Sequence, residues 1–255
     1  MNALAYEHYG YAAVAVIGTL AAVWAVDHLL GRPAVAARLE PWRGVVAPFI
    51  NVNAMLFGLT LAFIANDTWS ARDRAMDAVF READSLRSLL VLASALPEPA
   101  RDAMAGAVRD YGTAAAGEFT NLRTRDVAPA AAVAADALLR RVAGGSAAAA
   151  GEVVQAEMLR QVMRLRDDRD LRVSLSRTHL NPLKWLGMAA LGFLTILSIA
   201  AVHLGAPKAG MLATALFALA AAPSAAIVLV QGNPFQEPAA ISAAPILAAI
   251  EPGAP

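Results

Sequence analysis

Side chains with the chemistry for catalysis or metal binding are few in this sequence. Its four histidines, His8, His28, His179 and His203, are scattered, with no pair at the spacing of metal ligands. Cysteine is absent, which excludes disulfides, thiolate metal sites and cysteine nucleophiles. The sequence also lacks a glycine-rich phosphate loop and the G-x-S-x-G turn of serine hydrolases. We therefore predict that the protein is not an enzyme and uses no metal ion or other cofactor.

A partly polar face on an otherwise apolar helix is the strongest candidate for a functional site. Its residues are four or three positions apart, and Leu56 lies beside them: Asn53, Phe57, Thr60, Ile64 and Asp67. Polar groups in hydrocarbon are costly unless they meet protein or water. Two interpretations stay open. The amide and the hydroxyl hold a helical bundle together by hydrogen bonds, or copies of this helix line an ion conduit with an apolar constriction.

Four apolar stretches are long enough to carry such a face into a membrane. A helix needs roughly 20 residues to cross the hydrocarbon core, and stretches of this kind run over about 11–30, 45–65, 185–204 and 210–230. The composition agrees, since 58% of the residues are hydrophobic and only 16% are charged. The 21 basic residues equal the 21 acidic ones, so no positive surplus favours nucleic acid. We predict a lipid bilayer as the surroundings and no nucleic-acid partner.

The apolar stretches divide the chain into four parts. Residues 1–65 are predicted as a first transmembrane hairpin, 66–183 as a helical water-exposed insertion, 184–232 as a second transmembrane hairpin and 233–255 as a C-terminal tail. From Phe49 the helical pattern meets no breaker before Pro97. No alternating run bounded by turn residues predicts a strand. The predicted fold class is an all-α membrane protein, with four transmembrane helices in two hairpins and a long helical cytoplasmic insertion between the second and third.

Three further helices are predicted within the insertion. One follows Pro97-Glu98-Pro99, and apolar residues lie on one of its faces: Met104, Val108, Tyr111 and Ala115. Two more cover about 130–142 and 151–178. The last carries the charged run RDDRDLR at 166–172, which we expect in water or in salt bridges. Asp168 and Arg172 are spaced for an ion pair within that helix.

Residues 59–89 resemble the second helix of bestrophins. In that family an apolar run leads through a Phe or Ile and an Asn into a polar, aromatic and arginine-containing stretch. The matching residues here are Ile64, Asn66, Trp69, Ala71, Arg72 and Arg74. The chain as a whole is similar to a bacterial family of unknown function described as bestrophin-like. The similar elements include the entrance Pro182–Trp185 to the third apolar stretch and the motif Asn233-Pro234-Phe235 after the fourth.

The resemblance implies a homopentameric channel that passes small inorganic ions, with the second transmembrane helix around the central axis. The constriction falls near Leu56, Thr60 and Ile64, and a threonine there departs from the apolar residue that bestrophins usually have. A ring of Asp67 favours cations at one mouth. The acidic calcium-binding cluster of animal bestrophins is unmatched, so calcium gating is not expected. The implied location is the bacterial inner membrane, and positive charge near the helix ends places the termini and the insertion in the cytoplasm.

A different class of function competes with the channel. A membrane-anchored signalling or scaffold protein uses its helices to dock a partner without transport. A channel requires the face of Asn53, Thr60 and Ile64 to be accessible to water around a symmetry axis, whereas a scaffold requires that face to be dry. The motif residues also have structural interpretations. Trp69 suits an interfacial anchor, Arg72 and Arg74 suit topology signals or ion pairs between subunits, and Asn233-Pro234-Phe235 suits a helix stop.

Overall fold

The computed structural model describes residues 7–146, 150–177 and 182–251. In these residues the secondary structure consists of helices and short connections, with no strand, as the sequence predicts. The chain divides into two units. Unit 1 comprises Ala3–Trp69 and His179–Gly232, and unit 2 comprises Ser70–Thr178 and Asn233–Pro255. The C-terminal tail therefore folds with the residues of the predicted insertion.

The described residues form ten α-helices, some of them very short. A turn of 3-10 helix, Glu40–Trp42, precedes α3, and a turn of π-helix, Val142–Ser146, follows α6. The α-helices are α1 (Glu7–Leu30), α2 (Pro33–Leu39), α3 (Arg43–Val46), α4 (Phe49–Ala93), α5 (Ala100–Leu122), α6 (Pro129–Arg141), α7 (Glu152–Ser176), α8 (Pro182–Val202), α9 (Pro207–Val230) and α10 (Ala244–Ile250).

Four of these helices, α1, α4, α8 and α9, are long and apolar enough to cross a membrane. They coincide with the four apolar stretches of the sequence. The longest, α4, begins just after Pro48 and runs for 45 residues without a break, which corresponds to about 68 Å at 1.5 Å per residue. Its first part lies in unit 1 and its second part in unit 2. The arrangement of the four helices as two hairpins stays a prediction.

Unit 1 is held together by two apolar clusters. In one, Val26 and Leu30 of α1 pack with Ile196 and Ala200 of α8. In the other, residues of α4 pack with residues of α8 and α9: Phe57, Ile64, Ala65, Met188, Ala221, Ala225 and Val228. Small side chains are frequent in these contacts, because they allow helices in an apolar environment to approach closely.

Unit 2 has a larger core, built on the periodicity of its helices. The apolar residues predicted to share one face of α5 are all fully buried: Met104, Val108, Tyr111 and Ala115. On α7, Met158, Val162 and Leu165 are buried as well, and Val154 packs against the edge of the core. The second part of α4 contributes Val79, Leu86 and Leu89. These contacts fix the helices that carry the polar residues described below.

Candidate functional site

The face of α4 that the sequence singles out is largely covered by neighbouring helices of the same chain. The Asn53 side-chain amide donates a hydrogen bond to Ser198 Oγ of α8, at 3.2 Å. The Phe57 ring packs against Phe217 of α9, with ring centroids 5.4 Å apart. Ile64 is only 4% exposed. Hydrogen bonds and apolar packing therefore occupy this face within unit 1.

The remaining residues of the predicted pore face are more open. Thr60 is half-buried, and Leu56 is 44% exposed. The Asp67 carboxylate lies 2.5 Å from Lys184 Nζ at the start of α8, and both side chains are more than half exposed. Whether any of these residues lines a pore stays a prediction. Phe57 and Ile64 are core residues of unit 1, so their predicted pore role is not carried into the proposal below.

In the part of α4 that belongs to unit 1, a second face of the helix is exposed along its whole length. Its residues are separated by four, three, four and four positions, and all are exposed: Asn51, Met55, Gly58, Ala62 and Asn66. We call these five residues the open stripe. A hydrogen-bond partner for the side-chain amide of Asn51 or Asn66 is absent from the described residues of this chain. A methyl group added at Gly58 would meet nothing within 4 Å. The open stripe is thus free to face another molecule.

The motif after the apolar part of α4 makes contacts within the chain. Trp69 Nε1 donates to Gln231 Oε1 at the end of α9, at 2.8 Å. Arg72 Nε donates to the carbonyl oxygen of Ala239 in the tail, at 3.3 Å, and Arg74 Nε to that of Ser70, at 3.2 Å. Both arginines thus bond to backbone oxygens in this structure, while the pairs suggested between subunits stay predictions.

Asn233-Pro234-Phe235 closes the C-terminal end of α5. The Asn233 side-chain amide donates to the carbonyl oxygen of Leu122, at 3.0 Å, and the Gln236 amide donates to that of Arg123, at 2.8 Å. Both oxygens lie at the end of the helix, where the regular bonds to the next turn run out. The oxygen of Leu122 also accepts a hydrogen bond from the backbone N–H of Arg125, at 3.2 Å. The Phe235 ring meets the edge of Phe119, with centroids 5.5 Å apart. In this structure the motif acts as a cap and a core contact of unit 2.

Unit 2 also contains a network of buried charges. Two of its members, Arg169 and Arg172, belong to the charged run 166–172, which the sequence predicts in water or in salt bridges. They form salt bridges, but their burial was not predicted. We call its five residues the buried network: Glu82 of α4, Tyr111 and Glu118 of α5, and Arg169 and Arg172 of α7. Arg172 donates from Nε to Glu82 Oε2 at 3.0 Å and from Nη2 to Glu82 Oε1 at 3.2 Å. The same Nη2 lies 3.2 Å from Glu118 Oε2. One guanidinium therefore joins α7 to both α4 and α5.

The other members complete the charge balance of the buried network. Tyr111 donates its hydroxyl hydrogen to Glu82 Oε1 at 2.6 Å. Arg169 holds Glu118 with two hydrogen bonds, at 2.5 and 3.2 Å. The Arg172 guanidinium also stacks on the Phe119 ring, 4.7 Å from its centroid. Two carboxylates and two guanidinium groups cancel, which makes their burial tolerable.

Burial and charge shift two pKa values in the buried network. Burial, together with the negative charge of Glu82 and its hydrogen bond, raises the pKa of Tyr111 well above 10.0. For Arg172, burial alone lowers the pKa, but the Glu82 carboxylate beside it outweighs this and the net pKa is raised. Tyr111 therefore stays neutral and Arg172 stays charged over the whole physiological range.

The ion pair predicted between Asp168 and Arg172 is not present. Asp168 instead accepts a hydrogen bond from Arg81 Nε of α4, at 2.9 Å, and Arg172 turns into the core. An exposed ion pair within one helix contributes little to the stability of the fold. A buried guanidinium, in contrast, requires carboxylates around it. One feature of the sequence indicates the buried ion pairs: Glu82 and Glu118 occur among the core-forming apolar residues of their helices.

A comparison with family models identifies a family for this chain. A model described as a Bestrophin-like domain matches residues 13–246, which is most of the chain. No curated protein and no solved structure matches the chain significantly. Among the described residues, no group of three histidine or carboxylate side chains is arranged to hold a metal ion.

Proposed function

Because this chain belongs to the bestrophin-like family, we propose that it is one subunit of a homo-oligomeric ion channel whose pore is lined by α4. Membership of this family also makes it a membrane protein, in agreement with its four long apolar helices. The family is known for channels rather than enzymes. The proposed assembly is a pentamer in the bacterial inner membrane, with the termini and residues 66–183 in the cytoplasm, and its cargo is small inorganic ions.

The open stripe of α4 is the observation that supports this proposal most directly. In hydrocarbon, an amide without a partner costs free energy. Asn51 and Asn66, at the two ends of the stripe, lack a partner among the described residues. If copies of α4 surrounded a common axis, both amides would form hydrogen bonds with water or with the same amides of neighbouring subunits. Met55 and Ala62 between them would then form the apolar part of the conduit.

This proposal uses α4 as predicted but a different face of it. The face that contains Asn53 and Ile64 supplies the contacts with α8 and α9. A helix that lines a pore needs both kinds of face, one to fix it in its own subunit and one to face the axis.

Current recording with site-directed modification tests the proposal. The purified protein has no native cysteine, so Met55→Cys introduces the only thiol of the chain. We expect unitary currents in planar bilayers, and we expect a charged, water-soluble thiol reagent to reduce them in Met55→Cys. The matched control is Leu216→Cys on α9, which is 58% exposed but lies outside the open stripe. Its currents should not respond to the reagent.

Two outcomes would contradict the proposal. Reconstituted oligomers that remain silent would favour the alternative, a membrane-anchored signalling or scaffold protein without transport. Currents that respond to the reagent in Leu216→Cys but not in Met55→Cys would keep the channel and reject α4 as its lining. The experiment therefore separates the activity from the assignment of the helix.

A further inference from the structure

Gly192 of α8 lies in close contact with Phe57 of α4. Gly192 is buried, and a methyl group added to it would lie 3.2 Å from Cε2 and 3.5 Å from Cδ2 of the Phe57 ring. Carbon atoms that are not bonded to each other attract best at about 3.5–4.0 Å. The ring therefore keeps its present position only because residue 192 has no side chain.

The Phe57 ring is also confined by a second helix. It packs against Phe217 of α9, with ring centroids 5.4 Å apart and the ring planes inclined by 60°. Only 9% of Phe57 is exposed, and it belongs to the apolar cluster that includes Met188 and Ala221. Packed interiors leave little room for a side chain to move. A larger residue at position 192 would therefore displace α4 and not only the ring.

Two polar contacts, one on either side of Gly192 along α8, join the same two helices. The Asn53 amide donates to Ser198 Oγ at 3.2 Å, and Lys184 Nζ donates to the Asp67 carboxylate at 2.5 Å. As the residue number rises along α4, the number of its partner on α8 falls, so the two helices are antiparallel. In unit 1, α8 therefore supports α4 over most of the length of the open stripe.

The contact with Gly192 lies on the side of α4 opposite to the open stripe. Successive residues of an α-helix are about 100° apart around its axis, so Met55 points about 200° away from Phe57. Met55 is 73% exposed, whereas Phe57 is buried. A displacement of α4 away from Gly192 would therefore move Met55 in the direction that the open stripe faces.

We propose that Gly192 is a positioning residue that sets the width of the conduit through Phe57. The absence of a side chain at position 192 lets α4 lie close against α8, which keeps Met55 back from the axis around which the copies of α4 are arranged. A side chain at this position pushes α4 towards that axis and narrows the conduit. The effect on the conduit rests on the proposed channel function, whereas the displacement of α4 does not.

Substitutions of graded size test this role in single-channel recordings. We expect the unitary conductance to fall in Gly192→Ala and to fall further, by about twofold or more, in Gly192→Val, because an apolar constriction that narrows also loses water. Phe57→Leu should restore the conductance of Gly192→Val, since it removes the ring atoms that the larger residue meets. If Gly192→Val only loosened unit 1, a second core substitution would lower the conductance further. Gly187→Ala is the matched control in α8, because nothing lies within 4 Å of its added methyl group.

Spin labels on Met55→Cys measure the same displacement without any current. The chain has no native cysteine, so each subunit of a homo-oligomer carries one label. We expect pulsed electron paramagnetic resonance to show shorter distances between the labels when Gly192→Val is added, and the original distances again when Phe57→Leu is added as well. If Gly192→Val fails to assemble, Gly192→Ala provides the same comparison with a smaller displacement.

The outcomes separate the positioning role from the channel. Distances that are unchanged or longer in the Gly192 variants overturn the positioning role whatever the currents show. Shorter distances in a conducting protein whose unitary conductance is unchanged overturn the link with the width of the conduit. A reduced conductance that Phe57→Leu does not restore rejects Phe57 as the connecting side chain. Shorter distances in a silent oligomer support the displacement of α4 and reject the channel.

Discussion

At the scale of single residues, Arg172 links the helices of unit 2 through buried ion pairs. It is fully buried and joins three helices through two carboxylates. Removing one partner from a buried ion pair leaves the other charge uncompensated, whereas an exposed pair contributes little. The contribution of an arginine to the stability of the fold therefore depends mainly on whether its ion pair is buried.

Arg172→Met should lower the free energy of unfolding by about 3–5 kcal/mol, because Glu82 and Glu118 then lose a buried counter-charge. The measurement is denaturant unfolding in detergent, followed by circular dichroism. Arg160→Met is the matched control on the same helix, since Arg160 pairs with Glu157 at the surface. A loss in the control as large as that in Arg172→Met would show that burial is not the cause.

The raised pKa of Tyr111 makes unit 2 sensitive to alkali. The folded protein keeps the tyrosine proton to a higher pH than the unfolded chain, whose tyrosine titrates near 10.0. The stabilisation is therefore complete below pH 10.0 and is lost as the pH rises towards the folded pKa. Ultraviolet titration of tyrosinate should show one group that ionises only with unfolding. That group should be missing in Tyr111→Phe, and its persistence there would reject the assignment.

The pair Asp67–Lys184 changes the expectation for ion selectivity. Asp67 alone would favour cations, but Lys184 lies 2.5 Å from it, so the pair is neutral. If the channel function holds, Lys184→Met should shift the reversal potential towards cation preference, and Asp67→Asn should shift it towards anions, each by the effect of one charge per subunit. The double variant should resemble the native protein. Equal shifts of the same sign in both single variants would exclude this pair as a charge determinant.

At the scale of helices, periodicity predicted the elements but not the role of each face. The uninterrupted α4 follows from the absence of a breaker between Phe49 and Pro97. The buried face of α5 follows from the spacing of Met104, Val108 and Tyr111. The sequence could not show which face of α4 its neighbours cover. In hydrocarbon a polar side chain is equally suited to a helix contact and to a pore.

The contact between α5 and α10 depends on one glycine. A methyl group at Gly112 would lie 2.6 Å from Cγ2 of Ile250, too close for a branched side chain to accommodate easily. Gly112→Ala should therefore cost about 1–3 kcal/mol, measured by thermal unfolding. Gly106→Ala is the control in the same helix, because nothing lies within 4 Å of the added methyl group. It should stabilise α5 by about 0.5–1 kcal/mol. Equal effects would reject the close contact.

At the scale of the whole molecule, the order of helices and the family were predictable, but the division into units was not. The bestrophin resemblance rested on short motifs around Asn66 and Asn233, and the family match over residues 13–246 confirms it. From the sequence, residues 233–255 were predicted as a separate C-terminal tail. In the described part of this segment, residues 233–251, Phe235 and Ile246 pack against apolar residues far away in the chain, and such contacts leave no local periodicity.

The composition of unit 2 from two separate stretches of chain sets the timing of its folding during synthesis. Residues 70–177 leave the ribosome before α8 and α9, whereas Phe235 and Ile246, which complete the core, emerge only after both. Until then the carbonyl oxygens of Leu122 and Arg123 lack the side-chain amides of Asn233 and Gln236. The apolar surface that Phe235 and Ile246 cover is also exposed. Unit 2 is therefore prone to aggregation during synthesis, in the interval in which the last apolar helices enter the bilayer.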